Sequence, residues 1–368
     1  MHTGATQAIA LAYDMIQVGR AERVIVIAGD SASSDNLMPW LGNGFRILGA
    51  ATISSDLTLA AKPFGAERTG MILGSGGIGM VLESEAGARR RHAVTQEALR
   101  LESVQQSELD SGAFTSTSSD STPGTATSAV SATSALTVTP TTAATPLVSS
   151  SSTTTRPPFR CRRLGTLLSN SAYHGAAMDK IHIAEEFERF VSGIEAEHGI
   201  SRQDLARSGV YFSHETGTHA SPSSACAANE VSGCVGIYFC WYCAFYVRIL
   251  RVSTASSIAN GLQMFCVLTS FAQIYALRKV FGASLGDLLI LNTKGFTGHP
   301  MGVSFEDVVA VEVLNTGIVP PIANFTEVDP HLGSDLKLSR GGAHPCKYAI
   351  RFAAGFGSQI ALALYGVA

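Results

Sequence analysis

Apolar and polar residues alternate along this chain in patterns that predict both helices and strands. Short apolar runs bounded by glycine or polar residues are typical of buried strands, and apolar residues that recur every three or four positions are typical of amphipathic helices. The predicted strands are Gly209 to Phe212, Leu288 to Leu291, Tyr348 to Phe352 and Ile360 to Tyr365. The predicted helices are Ala8 to Val18, Asp179 to Gly199 and Phe305 to Leu314.

A segment rich in serine and threonine, from Gln105 to Pro158, interrupts this pattern. It includes the run SSSSTTT at residues 149–155. Such a composition cannot bury enough apolar surface to offset the conformational entropy of the chain. We therefore expect a disordered insertion at a surface loop. An O-glycosylated stalk is the alternative, and it would require a secreted protein.

The composition of the whole chain is that of a globular protein with a sizeable core. Of its 368 residues, 46% are hydrophobic and 15% are charged, and the net charge of −3 gives no electrostatic basis for binding nucleic acid. Seven cysteines at irregular spacing favour a reducing compartment over a disulfide framework. No basic and apolar secretory signal is found at the start of the sequence, so we expect a cytoplasmic location.

A glycine-containing loop after the predicted strand at 288–291 holds a lysine and a histidine. The loop Asn292 to Gly302 reads NTKGFTGHPMG and places Lys294 and His299 five residues apart. Its glycines let the backbone turn sharply and approach a substrate closely, and loops at strand ends often carry chemistry. Taken alone, the motif would favour a structural role for His299 in a tight turn over a catalytic one.

Two further loops also follow predicted strands. The loop Tyr211 to Ala220 reads YFSHETGTHA and contains His214 and His219. The loop RFAAGFGSQ, near the C-terminus, has a turn whose backbone N–H groups could face a developing oxyanion. That turn consists of Gly355, Phe356 and Gly357. Together the three loops predict acyl chemistry.

These loops resemble those of β-ketoacyl synthases, the condensing enzymes of fatty acid and polyketide synthesis. That family has a histidine in an H-G-T-G-T-like loop, a lysine and a second histidine in an N-x-K-x-x-x-G-H loop, and a late G-F-G turn. In this chain they fall in the same order on His214, on Lys294 and His299, and on Gly355 to Gly357. Pro63 to Glu83 is also similar to a glycine-rich family segment. The resemblance implies a thiolase-like layered αβαβα fold.

The resemblance implies a role for each of these residues. His214 and His299 would assist decarboxylation of a malonyl unit and stabilise the resulting enolate, and Lys294 would orient and tune the site. The family's nucleophile is a cysteine in a C-x-T-G-A pattern, whereas this chain begins MHTGA, with Met1 at the cysteine position. A thioether cannot form the acyl thioester, which requires a thiolate. We therefore expect a truncated N-terminal half and a catalytically incomplete site.

The resemblance also implies partners and substrates. The reaction would be the decarboxylative condensation of an acyl thioester with malonyl-carrier protein. The partners would be an acyl carrier protein or domain, whose phosphopantetheine arm delivers the substrate, and a second copy of the chain in a homodimer. No resident cofactor is implied. An inactive ketosynthase-like interaction protein and a membrane-anchored protein remain alternatives.

A second segment, Val231 to Tyr275, has no counterpart in the family. Its only charged residues are Arg248 and Arg251, and its apolar core of residues 235–247 is shorter than the roughly 20 residues that span a membrane. Its removal would join the flanking residues into what resembles one family helix, which favours a translated intron. A hydrophobic insertion or a membrane segment remains possible as an alternative. The predicted domains are therefore the remainder of the N-terminal ketosynthase half at 1–104, the insertion at 105–158, and the C-terminal half at 159–368.

A glycine motif suggests a nucleotide site, which we reject. Gly74, Gly76 and Gly79 fit the dinucleotide fingerprint G-x-G-x-x-G. That fingerprint needs a helix that opens at its third glycine. Here Met80 to Glu83 reads as a strand, and the charged stretch that follows is interrupted by Gly87.

A cysteine pair suggests a metal or redox site. Cys240 and Cys243 form a C-x-x-C motif, but no second pair lies downstream at zinc-finger spacing. We therefore predict no metal. His219 and His214 have a spacing that would allow both to bind one metal ion. We expect instead that His219 either contacts a catalytic residue without touching the substrate or lies at the surface.

Overall fold

The computed structural model describes residues 3–47, 50–112, 161–170, 180–217, 272–355 and 359–367. By their contacts these residues form two compact units. The larger unit consists of the residues up to 87 and those from 161 onward, and the smaller holds the helical residues 88–112. All candidate site residues that the structure describes lie in the larger unit.

Helices and strands alternate along most of the described chain. The helices are α1 (Gly4–Gln17), α2 (Met38–Ile47), α3 (Leu57–Ala60), α4 (Glu85–Gly112), α5 (Lys180–His198), α6 (Arg202–Ser208), α7 (described over 272–281), α8 (Lys294–Thr297) and α9 (Phe305–Thr316). The strands are β1 (Arg23–Ser31), β2 (Ser75–Glu83), β3 (Cys161–Asn170), β4 (Gly209–Phe212), β5 (Leu289–Leu291), β6 (Ile318–Pro321), β7 (Lys337–Leu338), β8 (Arg340–Ala343), β9 (Tyr348–Gly355) and β10 (Gln359–Val367).

A six-stranded mixed sheet in the order β3-β10-β9-β4-β5-β7 forms the centre of the larger unit. Strands β9, β4, β5 and β7 are parallel to their neighbours among these four, and β10 is antiparallel to both β9 and β3. Strands β4 and β5 pair from Val210 and Leu289 to Phe212 and Leu291. Their carboxyl ends therefore meet at the same edge of the sheet.

Helices cover both faces of this sheet. On one face, Phe187 of α5 and Leu277 of α7 share a buried cluster with Ile290 of β5. On the other face, Val313 of α9 packs in a second cluster with Leu291 of β5. Strands buried on both faces read as continuous apolar runs, as the sequence LIL of β5 does. The described sheet and its helices therefore form three layers, α on β on α.

Strands β1 and β2 form a separate antiparallel pair, which packs against α1. Ile9 and Ala12 of α1 contact Val26 of β1 in a small buried cluster. Successive side chains of a strand point to opposite faces, and Ile25 and Ile27 on the other face of β1 are exposed. Helix α1 therefore covers one face of this pair.

The predicted strands and helices of the larger unit are confirmed, with small shifts in their bounds. Helix α5 buries Ile183, Phe187 and Val191, as its pattern predicts. Ile181, also apolar, is 52% exposed. It lies two residues before Ile183, which places it on the far side of a helix with 3.6 residues per turn.

Helix α4 differs from the sequence prediction at two points. It continues through Gly87, because its many alanine, arginine, glutamate and glutamine residues outweigh one glycine. It also continues to Gly112, so the predicted start of the disordered insertion, Gln105, falls inside a helix. Residues 113–158 lie outside the described residues. Across the described ranges, no helix has both the length and the apolar character needed to cross a membrane.

The last four residues of the predicted insertion at 231–275 form part of a helix in the core. Residues 272–275 belong to α7 and continue without a break into residues 276–281. Ala272 and Ile274 are 1% exposed each and lie in the main core cluster, so these residues belong to the fold. The predicted insertion therefore should not include residues 272–275. The remainder of the predicted insertion lies outside the described residues.

Candidate active site

The two histidines predicted as catalytic meet at the carboxyl edge of the sheet. His214 lies two residues beyond β4, and His299 lies just beyond α8, which follows β5. Because β4 and β5 are parallel neighbours, both loops leave the sheet at the same edge. The imidazole centroids are 5.2 Å apart with an interplanar angle of 74°. Each histidine is 3% exposed, so the two rings form one buried pair.

Glycines allow the His299 loop to lie against the segment that precedes β2. The backbone N–H of His299 donates to the carbonyl oxygen of Ile72 at 2.7 Å. A side chain at Gly74 would collide with the carbonyl oxygen of Thr297. Gly298 has a φ of 67°, a left-handed conformation that favours glycine. The absence of a side chain at Gly74 and the backbone conformation of Gly298 therefore allow His299 to take this position.

Asn292 ties the two histidine loops together. Its Nδ2 donates to Ser213 Oγ at 3.1 Å and to the carbonyl oxygen of Glu215 at 2.8 Å. Its Oδ1 accepts from the backbone N–H of Lys294 at 3.0 Å. These bonds join the residues on either side of His214 to the turn that holds Lys294. Side-chain bonds as well as the sheet therefore fix the separation of the two histidines.

Lys294 belongs to a buried ion cluster with Glu306 and Arg351. Lys294 Nζ lies 2.5 Å from one oxygen of Glu306, and Arg351 Nη2 lies 3.2 Å from the other. Burial would raise the pKa of Glu306, but the charges of Arg351 and Lys294 outweigh it and lower that pKa to about 2. Burial lowers the pKa of Lys294, while Glu306 acts in the opposite direction. Glu306 is therefore a carboxylate at neutral pH.

A second buried ion pair lies behind the His214 loop. Arg68 Nη2 lies 2.9 Å from Asp329 Oδ2, and both side chains are 1% exposed. Glu215 is fully buried and accepts from the backbone N–H of Gly217 at 2.9 Å. Burial raises the pKa of Glu215, whereas Arg68 lowers it. The backbone N–H of Gly70 also donates to the carbonyl oxygen of Gly217 at 3.0 Å, which holds the His214 loop against the Pro63 to Glu83 segment.

The first turn of α1 makes side-chain contacts with the starts of α9 and β10. Thr3 Oγ1 donates to Gln359 Oε1 at 3.1 Å, and Thr6 Oγ1 donates to Asp307 Oδ2 at 2.7 Å in the first turn of α9. The predicted nucleophile position, Met1, lies outside the described residues. The start of α1, the start of α9 and the first residues of β10 are therefore held together.

The structure describes some of the other predicted site residues and not the rest. Gly355 is the last residue of β9 and pairs with Gln359 of β10. Gly76 and Gly79 lie within β2, so no helix opens at the third glycine of the rejected fingerprint. Outside the described residues lie Phe356, Gly357, His219, Cys240 and Cys243. Among the residues that the structure does describe, no group of three or more potential metal ligands is found.

Sequence reasoning missed three residues of this region. Arg351 left a signal, because it is the single charge in the otherwise apolar strand β9. Glu306 left none, because it stands beside Asp307 in the first turn of α9, where acidic residues are common. Gln273 accepts from the backbone N–H of His214 and from the hydroxyl of Tyr211. It left no signal, because it lies within the segment that was assigned to an insertion.

No family model matches this chain, and no curated protein matches its sequence. Among solved structures it is similar to a type II PKS ketosynthase in complex with its acyl-carrier protein, with a TM-score of 0.60 and 17% identity, over 99% of this chain and 60% of that one. It is also similar to a β-ketoacyl synthase from Burkholderia phymatum STM815, with a TM-score of 0.58 and 15% identity, over 100% and 60%. The ishigamide ketosynthase/chain length factor matches with a TM-score of 0.57 and 15% identity, over 99% and 59%.

The length and the identity of these matches define what they establish. This chain spans about 60% of the length of the three structures. At 15% to 17% identity, the likeness concerns the fold. The chain therefore has the thiolase-like α/β fold of ketosynthases.

Proposed function

We propose that this chain carries the malonyl-decarboxylating part of a β-ketoacyl synthase, an acyltransferase of fatty acid or polyketide biosynthesis. The observation that supports this most is the buried pair of His214 and His299, whose ring centroids lie 5.2 Å apart. Two imidazoles at this separation can both reach one small acyl group. Preorganised donors in a buried site stabilise developing negative charge far better than donors in water.

The proposed step begins with a malonyl thioester whose thioester oxygen faces the two histidines. The bond between the α-carbon and the free carboxylate breaks, and CO₂ leaves. The electron pair of that bond forms an enolate, whose oxygen accepts hydrogen bonds from the imidazole N–H groups. Without an acyl acceptor, the α-carbon takes one proton from solvent and an acetyl thioester results.

Lys294 is proposed to orient the histidine loop. Its ammonium group is anchored on Glu306 at the start of α9, 2.5 Å away. Lys294 precedes His299 by five positions, so the anchor limits the movement of the loop that carries the ring. In this role Lys294 acts through His299 and through the local charge.

Complete condensation requires a thiolate that first takes an acyl group from a carrier. The sequence has Met1 at that position, and we propose that this chain decarboxylates without condensing. The substrate would arrive on the phosphopantetheine arm of an acyl carrier protein. In support, one structural relative is a ketosynthase in complex with its acyl-carrier protein. A homodimer is proposed from the family resemblance.

The test is to incubate the purified full chain with malonyl-carrier protein and measure acetyl-carrier protein by mass spectrometry. We expect conversion by the wild type and a loss of about 100-fold or more in His214→Ala and in His299→Ala, since positioned groups of this kind contribute roughly 10²–10⁴-fold. The matched control is His331→Ala, a histidine at an exposed position. This control should retain the wild-type rate.

Two results would contradict the proposal. A folded wild-type chain that produces no acetyl-carrier protein would favour the alternative of an inactive interaction protein. Equal rates in the wild type, His214→Ala and His299→Ala would show that the conversion does not depend on the histidine pair. Acyl loading should be measured in the same samples, because transfer of a labelled acyl group to the chain would show that some other thiol replaces the missing one.

A further inference from the structure

We propose that Gln273 is a positioning residue that holds His214 in place for the proposed decarboxylation. The side-chain oxygen Oε1 of Gln273 accepts from the backbone N–H of His214 at 2.8 Å. The same oxygen accepts from the hydroxyl of Tyr211 at 3.0 Å. Gln273 is 2% exposed, so both bonds are made in the protein interior. The inference rests on the proposed function of His214.

The Gln273 side chain accepts a hydrogen bond from a backbone N–H that has no partner within the sheet. The ladder between β4 and β5 ends at Phe212, and the N–H of Ser213 still donates to the carbonyl oxygen of Leu291 at 3.0 Å. His214 is the next residue, beyond the last backbone bond to β5. A buried N–H needs an acceptor, because an unsatisfied one is costly. The acceptor here is the Gln273 side chain, so α7 determines where the His214 backbone stands.

Tyr211 determines which end of the Gln273 amide faces His214. An amide presents one oxygen and one NH₂ group, and only the oxygen can accept. Because two donors converge on this end of the side chain, the oxygen must face them. Burial raises the pKa of Tyr211 well above its ordinary value, against a smaller effect of Arg351, so the phenol stays protonated and donates at neutral pH.

Helix α7 provides a rigid support for this amide. Ile274 and Leu277 on the same helix are buried in the main core cluster together with Tyr211 and Phe187. Catalytic groups must be held close to their productive geometry by side chains that are themselves locked by packing. The Gln273 amide therefore has a fixed base, and the bond it makes transmits that position to His214.

The experiment compares Gln273→Leu, Gln273→Glu and Tyr211→Phe in the full chain. Gln273→Leu removes the acceptor, whereas Gln273→Glu keeps an oxygen at the same place. Kinetics of malonyl-thioester decarboxylation give kcat and KM. The imidazole ¹⁵N resonances of His214, assigned by their absence in His214→Ala, report its position without any reference to activity.

We expect Gln273→Leu to lower kcat at least tenfold, to leave KM within twofold and to shift the His214 resonances. Gln273→Glu should restore kcat to within threefold of the wild type, and Tyr211→Phe should give a loss between those two. The matched control is Gln203→Leu at an exposed position of α6, which should leave kcat, KM and the resonances unchanged. A Gln273→Leu protein with wild-type kcat, whether its KM is unchanged or raised, would overturn the proposal.

A further Gln273 variant and the His214 resonances allow the proposal to be tested even if Gln273→Leu does not fold or the wild type is inactive. If Gln273→Leu does not fold, Gln273→Asn withdraws the amide by one methylene and should give the same loss in kcat; wild-type kcat in that variant would overturn the proposal. If the wild type does not decarboxylate at all, the proposed function fails. In that case, shifted His214 resonances in Gln273→Leu but not in Gln203→Leu would still support the positioning role, and unshifted ones would refute it.

Discussion

Replacing Glu306 by glutamine should destabilise this protein by about 3 kcal/mol at neutral pH. Glu306 lies 2.5 Å from Lys294 and 3.2 Å from Arg351, and all three side chains are at most 5% exposed. Burial would raise the pKa of Glu306, but the two cations lower it from 4.5 to about 2. One pKa unit corresponds to about 1.36 kcal/mol, so this shift is equivalent to about 3 kcal/mol of folding free energy. Removal of one partner from a buried pair costs a similar amount, about 3–5 kcal/mol.

The same shift sets the pH dependence. A pKa that is lower in the folded state stabilises the protein fully above the unfolded-state pKa, and the contribution is lost as the pH falls through the folded-state pKa. For Glu306 the window runs from pH 4.5 down to about 2. The difference in unfolding free energy between wild type and Glu306→Gln should therefore narrow from about 3 kcal/mol at pH 7 to roughly half that near pH 3.3.

Urea unfolding at both pH values measures this difference. The matched control is Glu312→Gln, which removes a carboxylate from an exposed position of the same helix. Changes at exposed positions are usually within about 0.5 kcal/mol. The reasoning is refuted if Glu306→Gln and Glu312→Gln have equal stability at pH 7, or if the difference from wild type stays constant as the pH falls.

Three further predictions concern other parts of the larger unit. Gly74→Ala should cost about 1–3 kcal/mol in urea unfolding, because its Cβ meets the backbone of the His299 loop; Gly79→Ala, with open space around it, should cost less, and equal costs would contradict this. Arg68→Met should cost about 3–5 kcal/mol in the same assay, because it leaves a buried carboxylate without its cation; a cost below about 1 kcal/mol would contradict the buried pair. Burial raises the pKa of Cys161 and of Cys346 to about 11, so peptide mapping of the folded chain after iodoacetamide treatment at pH 8 should find both unmodified, and rapid alkylation would contradict this.

Strands β4 and β5 and the two histidine loops could be predicted from the sequence. The runs GVYF and LIL are short, apolar and followed by glycine-containing loops, and strands buried on both faces have this appearance. That the loops meet could be inferred only through the resemblance, because β4 and β5 are separated by the long segment before α7. Local periodicity does not indicate which strands pair.

The groups that support the histidines could not be predicted in the same way. Gln273 lies 59 residues from His214, and nothing in its own neighbourhood distinguishes it from other glutamines. Glu306 and Arg351 are 45 residues apart. Arg351 appears locally as a charge out of place in an apolar strand, whereas Glu306 looks like an ordinary acidic residue in the first turn of a helix. The two charges neutralise each other only because α9 packs against β9, and that packing is a property of the tertiary structure. The length of α4 was not predicted for a local reason. Gly87 suggests the end of a helix, but the helix formers around it outweigh one glycine.

The most direct test of the central claim is the decarboxylation of malonyl-carrier protein in deuterium oxide. If His214 and His299 stabilise an enolate, the product is an acetyl thioester with one deuterium on its α-carbon, and one CO₂ is released for each. Mass spectrometry of the carrier arm measures this directly. We predict singly deuterated acetyl-carrier protein with the wild type and none above background with the His214→Ala, His299→Ala double variant. Release of free malonate, or no change in the malonyl group, would contradict the account.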